Sequence, residues 1–319
     1  MAEDEEEITL AKLAMEYADE ARARELFEAW VWPKGPVCPH CKGEKAWRIE
    51  ASDGSKVKVR AGVYKCGGCL RQFSVTVGTI FERSHVPLSK WMMSVFILCS
   101  SKKGISAAQL GRMLGVTYKT AWFIFHRLRH AMEVGPLAEK LKGTVEADDV
   151  YVGGTPAKGT GTSGRGTKHK TPVVALVERG GNVRAKVVAG VSHLNLRQFV
   201  GEVLDEKAVV NTDQWNGYKP LFRSHQHEVV KHSAGEFSRV SPDGSRVHVN
   251  SCESFFSLLK RGMVGAFHHV SKEHLPRYLD EFAFRWDRRK MSDGERSKEL
   301  VQACVGKRLT YKNTVKAKS

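Results

Sequence analysis

The chain has no apolar run long enough to cross a bilayer. Its longest, Trp91–Cys99, falls far below the roughly 18–20 residues that a membrane span requires. The start of the sequence is acidic and lacks the apolar segment of a secretory signal, which predicts a cytoplasmic protein with no membrane partner. Cysteine is sparse and odd in number, seven in 319 residues, which argues against a disulfide framework and for a reducing compartment. Acidic residues are scarce beyond the first segment: residues 1–30 hold ten acids against three bases, yet the whole chain carries a net charge of +16. Everything downstream is therefore more basic than the average suggests. A field of that sign favours polyanions, nucleic acid ahead of an anionic membrane, and a nucleoid-associated location. At 41% hydrophobic, the chain buries a sizeable core and is long enough for two or three domains.

What is present begins with an acidic N-terminal helical segment, residues 1–35. Leu10, Leu13, Ala14, Tyr17, Ala21, Leu26, Phe27 and Trp30 share a broad apolar face at helical spacing, and Pro33, Gly35 and Pro36 end it. Residues 36–80 carry two cysteine pairs, Cys38-Pro-His-Cys41 and Cys66-Gly-Gly-Cys69, around the β-like runs Lys45–Ile49 and Val57–Tyr64. Four thiolates in two knuckles suit a tetrahedral Zn²⁺. Such a site is closed, so one structural zinc ion is expected to offset the small core of this module, with His40 a bystander.

Residues 86–135 read as a helix-turn-helix DNA-binding domain. Pro87 opens a first helix through Trp91, Val95, Phe96 and Leu98; then Ile105–Gly115 and Val116–Arg129 form two helices joined at Gly115, the second capped by Thr117. Thr117, Tyr118, Lys119, His126 and Arg127 are expected on its exposed side, with Ala121, Ile124 and Leu128 buried. The N-terminal residues of such a helix reach base edges in a major groove.

From residue 143 the period changes. Strands are expected at 144–152, 172–179, 183–191 and 207–212 with a helix over 195–205, then helices at 250–261 and 271–289. Three strands, a helix and a further strand match the ribonuclease-H-like α/β layout, here spanning residues 140–290. Gly153–Lys170 reads as a mobile basic loop, and residues 291–319 as a basic tail with little periodicity. Within this domain three acids stand out. Asp148 lies in an apolar strand, Asp213 ends another, and Glu253 opens an amphipathic helix. Carboxylates are costly in apolar strands unless a cation compensates them, and a pair of divalent metals would do so while running in-line chemistry on phosphodiesters. Alternation places Glu146 and Asp148 on one face and Asp149 on the other, so periodicity does not choose between the two aspartates. Glu253 and Lys260 lie close to two helical turns apart and point the same way, with Asn250 one turn upstream.

Several ordered segments together resemble insertion-sequence DDE transposases of the zinc-ribbon-bearing, ISXO-like kind. They are Trp32–Cys41, Val145–Gly154, Thr212–Tyr218, His248–Gly262, and the stretch from His274 through Tyr278, Phe282 and Trp286 to Arg289. The resemblance implies Asp148 rather than Asp149 as the first metal ligand and Asp213 as the second, holding two Mg²⁺ (or Mn²⁺) ions. It implies Glu253, followed by Lys260, as the best-fitting third ligand, with Asn250 its rival. The implied activity frees the 3′ ends of an element and joins them to target DNA. Lys102, Lys103, Lys260 and Arg261 would touch phosphates, the ribbon and helix-turn-helix would read terminal inverted repeats, and at least a dimer would assemble on double-stranded DNA. Two other readings remain open: a non-catalytic DNA-binding regulator, and a nuclease or resolvase of the same fold.

Overall fold

The computed structural model describes residues 7–50, 59–135, 138–153, 170–214, 217–218 and 224–315. Residues 154–169 of the expected loop, and Val57 and Lys58 of the run Val57–Tyr64, lie outside the described residues. The chain divides into two compact units, one of residues 1–132 with 290–319 and one of residues 133–289.

In the first unit the single helix expected over residues 8–30 is two: α1 (Leu10–Glu16) and α2 (Glu20–Val31). Asp19 makes the break, because its carboxylate accepts the Ala21 and Arg22 N–H groups at 3.0 Å and so caps α2 instead of continuing α1. Leu13, Phe27 and Trp30 are buried as expected, while Leu10 is 40% exposed. The cysteine module is a small antiparallel sheet of β1 (Ala46–Arg48), β2 (Tyr64–Cys66) and β3 (Gln72–Phe73). Trp32 meets Tyr64 and Phe73 edge-on, at 5.5 and 5.7 Å between ring centroids, and the Tyr64 hydroxyl donates to Glu28 at 2.8 Å. These contacts seat the sheet on the end of α2.

The buried helix α3 (Leu88–Ser100) follows Pro87, which has no side-chain acceptor to offer the helix N-terminus. Glu20 supplies one from a distance, accepting the Leu88 and Ser89 N–H groups at 2.9 and 3.2 Å. Next come α4 (Ala107–Leu114) and α5 (Tyr118–Met132), a helix-turn-helix. Gly115 adopts φ +60° at the turn, and a Cβ on Gly111 would stand 3.0 Å from the Val116 carbonyl oxygen, so both glycines are required for the helices to meet this closely. Thr117 accepts the Thr120 N–H at 3.2 Å, the cap expected from the sequence.

The second unit is built on a five-stranded sheet. Its elements are β4 (Thr144–Val152), β5 (Thr171–Glu178), β6 (Val183–Val187), α6 (His193–Val203), β7 (Val209–Asp213) and β8 (Gln226–Val230). The sheet order is β6-β5-β4-β7-β8, with β4, β5 and β6 antiparallel and β7 and β8 parallel to β4. This is the ribonuclease-H-like order. A hairpin of β9 (Arg239–Val240) and β10 (Arg246–Val247) leads into α7 (Asn250–Gly262), and α8 (Leu275–Asp287) closes the unit. One sheet face, through Val145, Ala147, Val174, Leu176 and Val210, packs on α6. The other, through Val150, Val173, Ala175 and Val177, packs on Phe255, Phe256 and Leu259 of α7 and Leu279 and Phe282 of α8.

The chain then returns to the first unit, which corrects the expectation of a basic tail at 291–319. Helix α9 (Asp293–Ala303) opens with a capping box between Ser292 and Glu295 and packs on α2, α3 and α5. Leu300 and Val301 are fully buried, and the Gln302 amide donates to the Trp30 carbonyl at 3.0 Å. A short α10 (Tyr311–Val315) follows. Among the described residues, no helix is long and apolar enough to cross a membrane.

Candidate active site

Strand pairing brings the first two acids together. Ala147 and Thr212 are register partners on the parallel strands β4 and β7, and Asp148 and Asp213 each follow by one residue. Val145 and Val210, partners two residues earlier, share the α6 face, so alternation turns Asp148 and Asp213 to the opposite face, beneath α7. Asp149 points the other way, where its Oδ1 accepts the buried Tyr218 hydroxyl at 3.4 Å. Alternation therefore sets Asp148 on the sheet face that carries α7 and Asp149 on the face that carries α6.

Electrostatics reports the same convergence. Burial, followed by repulsion from Asp149, Asp213 and Glu253, pushes the Asp148 carboxyl up to about 7, although the Asp149 N–H donates to it at 2.8 Å. Asp149 rises to about 6, again through burial first and then the charge of Asp213. Three separate segments of chain bring carboxylates within electrostatic reach of one another, hard oxygens of the kind that Mg²⁺ or Mn²⁺ takes as ligands. They do not close tightly by themselves. Among the described residues, the four cysteine thiols are the one group of three or more ligand atoms all within 4.8 Å of one another.

Helix α7 carries the remaining candidates. Asn250 is its first residue and Glu253 lies in its first turn; Lys260 and Arg261 are exposed in its last. Asn250, Glu253, Ser254, Ser257, Leu258 and Arg261 line an open groove, which Lys260 does not. The helix holds its place through the buried Cys252, Phe255, Phe256 and Leu259, each worth about 1.5–3 kcal/mol of burial for the large side chains.

In the cysteine module the two knuckles repeat one turn. The Lys42 N–H donates to the Cys38 carbonyl at 2.9 Å and the Leu70 N–H to the Cys66 carbonyl at 3.1 Å, and Lys42 and Leu70 both adopt positive φ, 62° and 60°. The result sets Cys38 and Cys69 sulfurs 3.7 Å apart and Cys41 and Cys66 sulfurs 3.5 Å apart. A tetrahedron with bonds of ~2.3 Å has edges of about 3.8 Å, so this cluster is of the size that holds zinc. Backbone N–H groups of Cys69 and Gly68 draw the Cys66 thiol down to about 6 against its burial, while Cys41, despite the Gly43 N–H, is pushed up to about 11 by the neighbouring Cys66 and Cys69 sulfurs. His40 is exposed and outside the cluster.

The helix-turn-helix keeps part of its expected surface. Thr117, Tyr118 and Lys119 are exposed, Tyr118 by 62%, as are Lys102 and Lys103 beyond α3. Arg127 is not, which corrects the expectation that it faces DNA. At about 100° per residue it lies half a turn round from Tyr118. There its Nε donates to the Leu309 carbonyl at 3.1 Å and its guanidinium stacks on Phe123 at 4.6 Å. His126 is likewise fully buried rather than exposed.

Residues 140–287 match the model of the ISXO2-like transposase domain, and residues 18–72 that of the transposase zinc-ribbon domain. A relative described as an uncharacterized protein in transposable element ISH50, from Halobacterium salinarum, is 32% identical over 284 residues, covering 84% of this chain and 91% of its own length. The chain belongs to the ISXO2-like transposase family. A solved pre-cleavage Mos1 transpososome is 13% identical, covers 64% of this chain and 75% of its own, and has a TM-score of 0.23, too loose a likeness to bear on the site. The transposase-domain match runs from before β4 to the end of α8, so it contains Asp148, Asp213 and Glu253 together. The zinc-ribbon match opens at residue 18, ahead of the boundary expected at 36, and so takes in α2, to which Trp32 and Tyr64 fasten the ribbon.

Glu146 is a further member of this neighbourhood that residue spacing alone does not single out. Glu146 is fully buried, two residues before Asp148 and on the same face, and accepts hydrogen bonds from the start of α7. A carboxylate inside an otherwise apolar strand was the available signal.

Proposed function

We propose that this transposase cuts the ends of an insertion sequence to free 3′ hydroxyls and then joins those ends to target DNA. The carrying observation is that Asp148 and Asp213 each stand one residue beyond the register partners Ala147 and Thr212, on the sheet face that carries α7; burial first, and then the charges of Asp149, Asp213 and Glu253, push Asp148 up to about 7. A structural role for these acids would leave that repulsion standing, whereas a cation-dependent reaction relieves it. Two bound Mg²⁺ or Mn²⁺ ions would supply an activated attacking oxygen and a stabilised leaving oxygen. Asp148 and Asp213 would hold them, with Glu253 as the third acid and Asn250 beside it in the groove. The exposed Lys260 and Arg261 on α7, with Lys102 and Lys103, would neutralise backbone phosphates and make binding salt-dependent. Thr117, Tyr118 and Lys119 would contact the terminal inverted repeats, alongside a ribbon held by zinc on Cys38, Cys41, Cys66 and Cys69. Two ends must be brought together before joining, so a dimer or larger assembly forms on DNA.

The test is cleavage of end-repeat DNA by Asp148→Ala and Asp213→Ala proteins. Both should lose Mg²⁺-dependent nicking by more than about a thousandfold, the scale of removing a principal transition-state contact, while binding the DNA normally. Parental nicking by both variants would refute the assignment. Product analysis separates joined strands from simple hydrolysis, which distinguishes transposition from a nuclease of the same fold.

A further inference from the structure

Helix α7 has a defect at its start that the sheet repairs. Its N-cap position is Val249, whose side chain has no acceptor for the unpaired N–H groups of the first turn. The missing acceptor comes from β4. Glu146 Oε2 accepts the Ser251 N–H at 2.6 Å and the Cys252 N–H at 3.4 Å, and Oε1 accepts the Ser251 hydroxyl at 3.0 Å. The Cys252 thiol adds a contact to the Glu146 backbone carbonyl at 3.1 Å.

The approach to the helix is held by the same group. Arg179 Nε donates to Glu146 Oε1 at 3.1 Å, while its other nitrogens donate to the Arg246 and His248 carbonyls at 2.7 and 3.4 Å. His248 Nδ1 stands 3.1 Å from the same Oε1. A fully buried carboxylate is costly, and removing one partner of such a pair costs more than a surface bridge would gain. Here the guanidinium, the helix N-terminus and the hydroxyl together compensate it. The arrangement exceeds what packing α7 requires, since Phe255, Phe256 and Leu259 already bury its apolar face.

Glu146 and Asp148 are two residues apart on one face of a strand, and Ser251 and Glu253 are two residues apart in the first turn of α7. We propose that Glu146 is a positioning residue: by clamping Ser251 it fixes how far Glu253 stands from Asp148, and so the size of the cation site between strand and helix. The inference rests on the reading of Asp148 and Glu253 as partners in that site.

The test compares full-length Glu146→Gln, Ser251→Ala and Glu253→Gln proteins. Mn²⁺ affinity is measured by electron paramagnetic resonance, with the Mg²⁺ concentration for half-maximal end cleavage and the melting temperature alongside. Groups that orient metal ligands typically matter ten- to a hundredfold, so Glu146→Gln should weaken Mn²⁺ binding by about tenfold and raise the Mg²⁺ requirement in step. Ser251→Ala, which keeps the backbone donors, should shift both by a smaller factor, and it decides the matter if Glu146→Gln fails to fold. A lower melting temperature with parental Mn²⁺ affinity and Mg²⁺ requirement in both variants would overturn the inference, leaving Glu146 a structural cap. If Glu253→Gln itself binds Mn²⁺ and cleaves like the parent, the underlying reading of Glu253 falls first, and the two failures are thereby told apart.

Discussion

Asp148, in the middle of β4, and Asp213, at the end of the parallel β7, stand at the same level, each one residue beyond the paired Ala147 and Thr212. Their proximity is therefore set by backbone hydrogen bonding rather than by flexible side chains. Only Glu253, on a helix, depends on tertiary packing to reach them.

The pH dependence of the metal-free protein follows. Asp148 ionises at about 7 in the fold against an ordinary value of 3.8, so its contribution to stability is full below pH 4 and is lost as pH rises through 7. Asp148→Asn should stabilise the second unit at pH 8 by roughly 2–4 kcal/mol in the absence of metal, and Mg²⁺ should raise the melting temperature of the parent but not of the variant. His227, buried and held down at about 4, works in the opposite sense, losing stability as pH falls below 6.5. The difference between parent and variant melting curves therefore carries the test, and identical melting at pH 8 would contradict it.

Lysine and arginine on α5 should separate by function. Lys119→Ala should weaken binding across DNA sequences and flatten its salt dependence by about one counterion. Arg127→Ala leaves the Leu309 carbonyl without its donor and should cost about 1–3 kcal/mol of stability in the first unit, with the affinity of the folded fraction unchanged. Thermal melts paired with salt-titrated binding distinguish the two; loss of affinity without loss of stability in the Arg127 variant would return it to the DNA surface.

Truncation after Met291 should damage the first unit. It removes the buried Leu300 and Val301 and the donor from Gln302 to Trp30, so melting of the first unit should drop by more than 10 °C, as expected when at least two buried aliphatic side chains worth about 2–5 kcal/mol each are lost from a domain of this size. A truncated protein with an unchanged melting profile would show α9 to be dispensable.

Much of the second unit was legible because its strands are apolar and its helices periodic: β4, α6, β7 and α7 lie within a few residues of where the pattern puts them. The edge strand β8 was not, since Gln226, His227 and Glu228 interrupt its apolar character and, in the five-stranded sheet, it pairs only with β7. Charge misled the reading twice. Arg127 and the Glu295-Arg-Ser-Lys-Glu299 run look like solvent-facing surface, yet one guanidinium is buried against carbonyl oxygens and the other run flanks the buried edge of α9. Both depend on partners more than 170 residues away in sequence, as the 182-residue separation of Arg127 from Leu309 illustrates. Glu146 was placed correctly on the face of Asp148, but its purpose required the coordinates of Ser251, distant in the chain by 105 residues.

The return of α9 to the first unit makes the second unit an insertion within the first. A ribosome must translate the whole transposase domain, and then α9, before the first unit acquires its last buried helix. Abortive products ending anywhere in the second unit consequently lack the helix whose buried Leu300 and Val301 complete the first.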